Sequence, residues 1–375
     1  MTYQVVSSQQ HMLDVLEQCQ QSTARYLDTE FVRERSLYPQ FGLLQISDGD
    51  SVWLLDPLAI DDLSPLWAWL QQNEPLTVFH AFGEDLELLW HEGAIQFNHI
   101  LDTQVAASML GWGSGMGFAA LVERVCEIEL DKSHSRTNWL KRPLSSQQLQ
   151  YAADDVRYLI PVAQTLIEQL QQQGLYDACL SECQRLAQRQ ERDIAKRYLD
   201  VKNAWQLNQQ QLAVLRELAA WRYQRAAAKD MALSFVIKDP ALVALAKYQP
   251  ESMTRLKQIN ELSPIEVRIH GSKLLKLIAD AKLIDKQDWP SRIHRVIDIP
   301  SYKSRSKSLM KVCQTLADKA GVPVASFASK RQVNELLMWQ WQGGDESDLP
   351  VLLQSWRAAV SADAIHQWLQ ENPAS

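Results

Sequence analysis

Residues 24–31 read Ala-Arg-Tyr-Leu-Asp-Thr-Glu-Phe, a short and partly alternating apolar run that predicts a strand. Two similar runs follow at 41–47 (Phe-Gly-Leu-Leu-Gln-Ile-Ser) and 51–55 (Ser-Val-Trp-Leu-Leu), flanking the tight-turn signal Asp48-Gly49-Asp50. Three successive strands in a meander are expected. Downstream the period changes. A helix is predicted over 63–72, a buried strand over 76–80, a helix over 84–91, a strand over 96–101 and a helix over 103–110. Strands that are first antiparallel and then alternate with helices make an α/β mixed sheet flanked by helices. The glycine-rich stretch 111–117 interrupts, a helix resumes near Ala119, and 145–173 reads as one long helix ending at Gly174.

From about Tyr176 onward no strand pattern appears, and helical spacing recurs at 209–228, 241–247, 253–259, 266–281, 307–320, 329–342, 350–360 and 362–369. Trp289-Pro290, Ile299-Pro300 and the Ser/Lys/Arg stretch 301–308 read as a linker. The expected organisation is an α/β domain at 1–175, a helical connector at 176–208, one helical bundle at 209–288, a linker at 289–306 and a second bundle at 307–375.

The 375 residues are 46% hydrophobic and 22% charged, ordinary for a globular chain with more than one core. No window approaches the roughly 18–20 apolar residues of a bilayer span, and the first residues lack the basic-then-apolar order of a secretory signal, so a cytoplasmic protein without membrane contact is expected. Cys19, Cys126, Cys179, Cys183 and Cys313 are scattered and point to reduced thiols, not to disulfides or a zinc site. Charge is uneven: 11 Lys+Arg face 25 Asp+Glu through residue 190, and 27 face 20 beyond it, giving −14 and +7. Between Arg35 and Arg124 lie twelve carboxylates and no lysine or arginine. Such a half repels a polyanion unless cations intervene, and the basic half attracts one.

Asp28 and Glu30, two apart on a strand, project from one face about 7 Å apart. Alone they read as exposed carboxylates of an edge strand. If buried they need a partner, and Arg25 and Arg33 lie at opposite parity or beyond the strand end, which leaves a divalent cation as the fitting neutraliser. Glu84-Asp85 opens a helix, where carboxylates ordinarily serve as caps. Tyr151 and Asp155, spaced i,i+4, share a helix face; alone, Asp155 reads as the partner of an arginine such as Arg142.

Taken together, these features resemble the DEDD exonuclease superfamily, in the subclass with tyrosine in its last motif, and within it the ribonuclease D family. The resemblance rests on Tyr26-Leu-Asp-Thr-Glu-Phe31, Val78-Phe-His-Ala-Phe-Gly-Glu-Asp85, Thr137-Asn-Trp-Leu-Lys-Arg-Pro-Leu144 and Tyr151-Ala-Ala-Asp-Asp-Val-Arg-Tyr-Leu159. Residues 209–285, with Trp221-Arg222, Asp239-Pro240, Pro250 and His270-Gly271, are similar to the helicase-and-RNase-D C-terminal (HRDC) domain. Residues 305–370, with Ser329-Lys-Arg-Gln-Val-Asn334 and Trp356-Arg357, are similar to its divergent second copy.

The resemblance implies a ribonuclease H-like exonuclease domain at 1–175 followed by two all-α HRDC bundles. It implies a metal-dependent 3′–5′ exoribonuclease that releases mononucleotides from RNA 3′ ends, with tRNA precursors and small structured RNAs as substrates, acting as a monomer. The alternatives are a DNA-directed exonuclease of the same superfamily and a non-catalytic RNA-binding scaffold. Two divalent ions, Mg²⁺ or Mn²⁺, would be held by four carboxylates. By the same resemblance Asp28 serves both ions, Glu30 and Asp155 the ion that activates water, and Asp85 the second ion through water. Asp154 is the rival fourth acid, set behind Asp155 because only Asp155 stands i+4 from Tyr151. Tyr151 would orient the attacking water, since a phenol with its ordinary pKa near 10 is a poor base. Thr29 (through its backbone N–H), Phe31, His80, Phe82, Trp139 and Arg142 are the candidate substrate contacts, although each alone reads as a packing residue. The helical modules would add phosphate contacts.

Overall fold

The computed structural model describes residues 2–131, 137–188 and 193–373. The chain forms two compact units, one drawn from Met1–Val32, Gln40–Arg189 and Ile299–Ser375, the other from Arg33–Pro39 and Gln190–Asp298.

The first unit begins with β1 (Tyr3–Val6), α1 (Gln9–Gln18), β2 (Ala24–Val32), β3 (Gln40–Ser47) and β4 (Val52–Leu55). It continues through α2 (Ser64–Leu70), β5 (Leu76–Phe79), α3 (Gly83–Gly93), β6 (Ile100–Asp102), α4 (Thr103–Met109), α5 (Phe118–Cys126), α6 (Ser146–Gln172) and α7 (Tyr176–Ala187). The six strands lie in the order β1-β4-β3-β2-β5-β6. β2, β3 and β4 form the antiparallel meander, and β1, β5 and β6 add in parallel. This is the mixed sheet flanked by helices that the pattern implied. β2 is an interior strand with neighbours on both sides, which removes the edge-strand reading of Asp28 and Glu30.

β1, α1 and β6 differ from expectation. β1 and α1 were not anticipated, because only Val6 of the four-residue strand is buried and its apolar signal is thin. The strand expected at 96–101 contracts to Ile100–Asp102; Phe97 instead packs edge-on against Phe79, ring centres 5.7 Å apart.

Local chemistry explains how β2 and α6 are held. The buried Arg25 guanidinium donates to Thr77 Oγ1 at 2.7 Å and to the carbonyls of Trp69, Leu70 and Gln72 at 2.7–2.8 Å, closing the orphan carbonyls at the end of α2. Ser145 and Gln148 form a reciprocal capping box that starts α6. On the side of the sheet facing α6, Leu43 and Leu54 pack with Trp139, Ala152, Ala153 and Val156, the two alanines admitting a close approach of helix to strand.

The second unit holds α8 (Gln209–Lys229), α9 (Leu233–Val236), α10 (Asp239–Tyr248), α11 (Met253–Leu256) and α12 (Pro264–Ala281) around a core that includes Leu212, Leu215, Leu242, Leu274 and Ile278. The last helices, α13 (Tyr302–Ala320), α14 (Val324–Phe327), α15 (Lys330–Trp341) and α16 (Ser355–Glu371), belong to the first unit. α13 begins inside the stretch read as a linker. α16 is one helix where two were expected, since no glycine or proline interrupts 355–371. Within this unit α16 is tied to α7: buried Arg357 pairs with Glu182 through Nη1 and Nη2 and donates to the carbonyls of Phe327 and Ser326. Among the described residues, no helix is long and apolar enough to cross a membrane.

Candidate active site

The alternation of β2 sends Asp28 and Glu30 toward α6, where the i,i+4 spacing brings Tyr151 and Asp155 to meet them. Carboxylate oxygens of Asp28, Glu30 and Asp155 all lie within 4.8 Å of one another. Asp85, in the first turn of α3, stands beside this group, with its Oδ1 accepting from the Thr29 hydroxyl at 2.5 Å. Asp154 is turned to Gln150, at 2.9–3.0 Å, and to Arg157, and so stands apart from the three.

These acids are poor company for one another without a cation. Burial, then the charges of Asp155, Asp85 and Glu30, holds Asp28 well above the usual carboxylate range. Burial and the charges of Asp155 and Asp85 push Glu30 up to about 9. Burial and neighbouring Asp154 push Asp155 up to about 8, and burial lifts Asp85 to about 6 against the lowering effect of the Thr29 bond. Among the described residues no lysine or arginine offsets them. An all-oxygen, uncompensated, half-buried donor set fits a hard divalent cation. The Tyr151 hydroxyl donates to Asp155; burial and the surrounding acids raise its pKa, so the phenol stays protonated and acts by hydrogen bonding.

The candidate substrate contacts fall in different places. Thr29 is buried, its hydroxyl engaged by Asp85 and its backbone N–H by the carboxylates. His80 is half-buried, bonded through Nδ1 to Thr103 Oγ1 at 2.9 Å, with its ring centre 5.3 Å from that of Phe118 and tilted to it; burial lowers its pKa to about 4, so it is neutral. Phe82 is 4% exposed and packs inside at the start of α3. Trp139, 1% exposed, lies under the site with its ring 6.1 Å from that of Tyr151. Phe31 is half-buried. Arg142 is fully engaged by protein acceptors: both Asp56 oxygens at 2.6 Å, Gly42 O at 2.6 Å, Trp139 O at 2.7 Å and Lys141 O at 3.1 Å. Phe82 and Trp139 are thus placed as buried packing residues, and the Arg142 donors are taken by protein acceptors.

Residues that sequence reasoning passed over complete the support. Gly42 lets the loop of Trp139 approach β3: a Cβ there would stand 2.8 Å from Trp139 Cβ and 2.9 Å from Glu30 O. Asp102, buried at the end of β6, accepts from the N–H groups of Ala81, Phe82 and Gln104 at 2.9, 3.2 and 2.8 Å. It thereby holds Ala81 in the left-handed region, at φ 57°, immediately before the helix that carries Asp85. The available signal was an aspartate one residue before an expected helix, the ordinary N-cap position. Cys183 Sγ accepts from Asp102 N at 3.3 Å. A cavity of about 470 Å³ opens beside α6, lined by Tyr151, Asp155, Phe118, Gln147 and Gln150 among others.

Residues 3–171 match the 3′-5′ exonuclease family model, 211–278 the HRDC domain and 300–365 the ribonuclease D C-terminal HRDC domain. The chain is 37% identical over 375 residues to ribonuclease D of Escherichia coli strain K12, covering all of both chains. It is 39% identical over 365 residues to ribonuclease D of Shewanella sp. strain ANA-3, covering 97% of this chain and 93% of that protein. Among solved structures, Escherichia coli RNase D, described as an exoribonuclease involved in structured RNA processing, superposes with a TM-score of 0.95 at 36% identity over the full length of both chains. The catalytic core of RRP6 from Trypanosoma brucei shares the fold at a TM-score of 0.58 and 22% identity, covering 75% of this chain and 79% of that one.

Proposed function

The chain belongs to the ribonuclease D family of 3′–5′ exoribonucleases, and from that membership we propose how its own residues divide the reaction. The observation that carries the proposal is the triad of Asp28, Glu30 and Asp155, with oxygens within 4.8 Å and no compensating cation among the described residues. Two divalent ions, Mg²⁺ or Mn²⁺, would supply charge neutralisation at the phosphate and a hydroxide near neutral pH. Asp28 would serve both ions, Glu30 and Asp155 the one on the water side, and Asp85 the other through water. Tyr151 keeps its proton and orients the attacking water by its hydroxyl. The cavity beside Tyr151 and Asp155 receives the 3′-terminal nucleotide, a fit in size to a small ligand. Neutral His80 and half-buried Phe31 line the approach, and Thr29 aligns the acids. Trp139 and Arg142 brace the loop against β3, and Phe82 fixes the start of α3.

The substrates we infer are tRNA precursors and other small structured RNAs, with the helical modules adding phosphate contacts. We further infer a cytoplasmic monomer, for which sedimentation of the full chain is the check. RNA is favoured over DNA by family membership, and matched oligonucleotides of each test it, since only a 2′-hydroxyl contact separates them.

The test is digestion of 3′-labelled and 5′-labelled single-stranded RNA with Mg²⁺, Mn²⁺ or chelator. Stepwise shortening from the 3′ end that requires the ion is expected. Asp28→Ala should abolish hydrolysis and leave RNA affinity largely intact; turnover by this variant would overturn the assignment.

A further inference from the structure

Gln45 stands midway along β3, directly opposite Asp28 in the antiparallel β2–β3 register. Facing residues of such a pair project from the same side of the sheet, their Cβ atoms about 4.5–5.5 Å apart. That side is the one on which Leu43 packs against Ala152 and Val156 of α6. Gln45 is 0% exposed, and neither Nε2 nor Oε1 has a hydrogen-bond partner. Of its neighbours of like parity on the sheet, Leu43 and Leu54 are apolar and fully buried, and the Ser47 hydroxyl donates to the Ser51 carbonyl at 2.6 Å. An orphaned buried amide is destabilising, and a leucine of similar volume would carry no such penalty. A polar side chain at this position, beside the acid cluster, points to a partner that appears during function.

We propose that Gln45 is a positioning residue for the hydrolysis, its amide N–H donating to the Asp28 carboxylate and fixing that carboxylate's rotation when it holds the ions. This rests on the metal assignment above. A carboxylate offers about four acceptor positions. Those facing Glu30 and Asp155 are on the cluster side, and the adjacent strand supplies the donor for one that remains. Groups that orient a metal-holding carboxylate in this way commonly change ion affinity or turnover by about 10–100-fold when removed.

The experiment compares the full-length wild type, Gln45→Leu and Asp28→Asn. Each is melted in chelator and across a Mn²⁺ titration, and kcat and KM are measured on single-stranded RNA. Gln45→Leu should melt in chelator at the same temperature as wild type or higher, because the orphan is gone. It should need about 10-fold more Mn²⁺ for half-maximal stabilisation and lose about 10-fold in kcat at unchanged KM. Should leucine lower the melting temperature in chelator, Gln45→Met, unbranched and of equal length, provides the same readings without the branched shape. A variant that folds like wild type and matches it in Mn²⁺ requirement and kcat overturns the role of Gln45 alone. A wild type whose melting ignores Mn²⁺ as completely as Asp28→Asn does overturns the metal assignment, and the role of Gln45 with it.

Discussion

The Thr29 hydroxyl, on the strand that carries Asp28 and Glu30, donates to Asp85 Oδ1 at 2.5 Å, so the acid of α3 is joined to the cluster through a threonine of opposite parity. Thr29→Val keeps the shape and removes the donor, leaving a carboxylate that is 7% exposed without it. We expect kcat on 5′-labelled RNA to fall by about 10-fold, in line with a loss of about 1–3 kcal/mol, and Thr29→Ser to restore most of it. A valine variant as fast as wild type would show that Asp85 needs no such tether.

Asp102 accepts three backbone N–H groups around the left-handed Ala81 turn. Asp102→Ala leaves them without an acceptor and should lower stability by about 2–4 kcal/mol, read as an earlier urea midpoint. Activity should fall further than the folded fraction does, because α3 no longer aims Asp85. Activity that merely tracks folding would assign Asp102 to stability alone.

Adjacent aspartates of α6 should separate cleanly. Asp155 stands in the cluster, whereas Asp154 pairs with Arg157 and Gln150. Asp155→Asn should reduce turnover by about 100-fold or more, and Asp154→Asn should leave it within about 3-fold. Single-turnover digestion at saturating Mn²⁺ distinguishes them, and equal losses would contradict the geometry.

Glu182 gives a pH signature. Burial opposes its charge, but the hydrogen bonds and charges of Arg185 and Arg357 outweigh burial and hold it down at about 2, from an ordinary 4.5. A depressed carboxyl contributes stability in full above its unfolded value and loses it as pH falls through the folded one. The window is therefore pH 4.5 down to 2, and the contribution is on the order of 3 kcal/mol. Glu182→Gln should be less stable than wild type at pH 6, and the gap should narrow steadily in urea melts taken toward pH 2.5. A gap independent of pH would mean that the pair contributes by packing alone.

Local rules made much of this molecule readable. The turn at Asp48-Gly49-Asp50 gave the hairpin between β3 and β4, parity put Asp28 and Glu30 on one side of β2, and helical spacing put Tyr151 with Asp155. What escaped was set by pairing at a distance. Gln45 faces Asp28 only through a register established across residues 33–39, which follow no tight-turn rule. Asp102 matters because β6 lies beside β5, and Gly42 because a loop a hundred residues later lies on it. Arg142 and Phe82 have the side chains of substrate contacts, and their residue type says nothing of whether their donors and faces are already taken by carbonyls and core. β1 was missed because a strand of four residues with one buried side chain carries too little pattern.

Order of synthesis acquires a meaning from the way Arg357 reaches Glu182. The unit bearing the carboxylates is assembled from the early and late parts of the chain, with residues 190–298 of the other unit translated between them. Domains generally form as units while the chain emerges, N-terminal ones first. Here the ribosome must pass residue 357 before Glu182, already made, can meet its arginine. Until then Glu182 has only its neighbour Arg185, so the tie between α7 and α16 is completed only once residue 357 has been made.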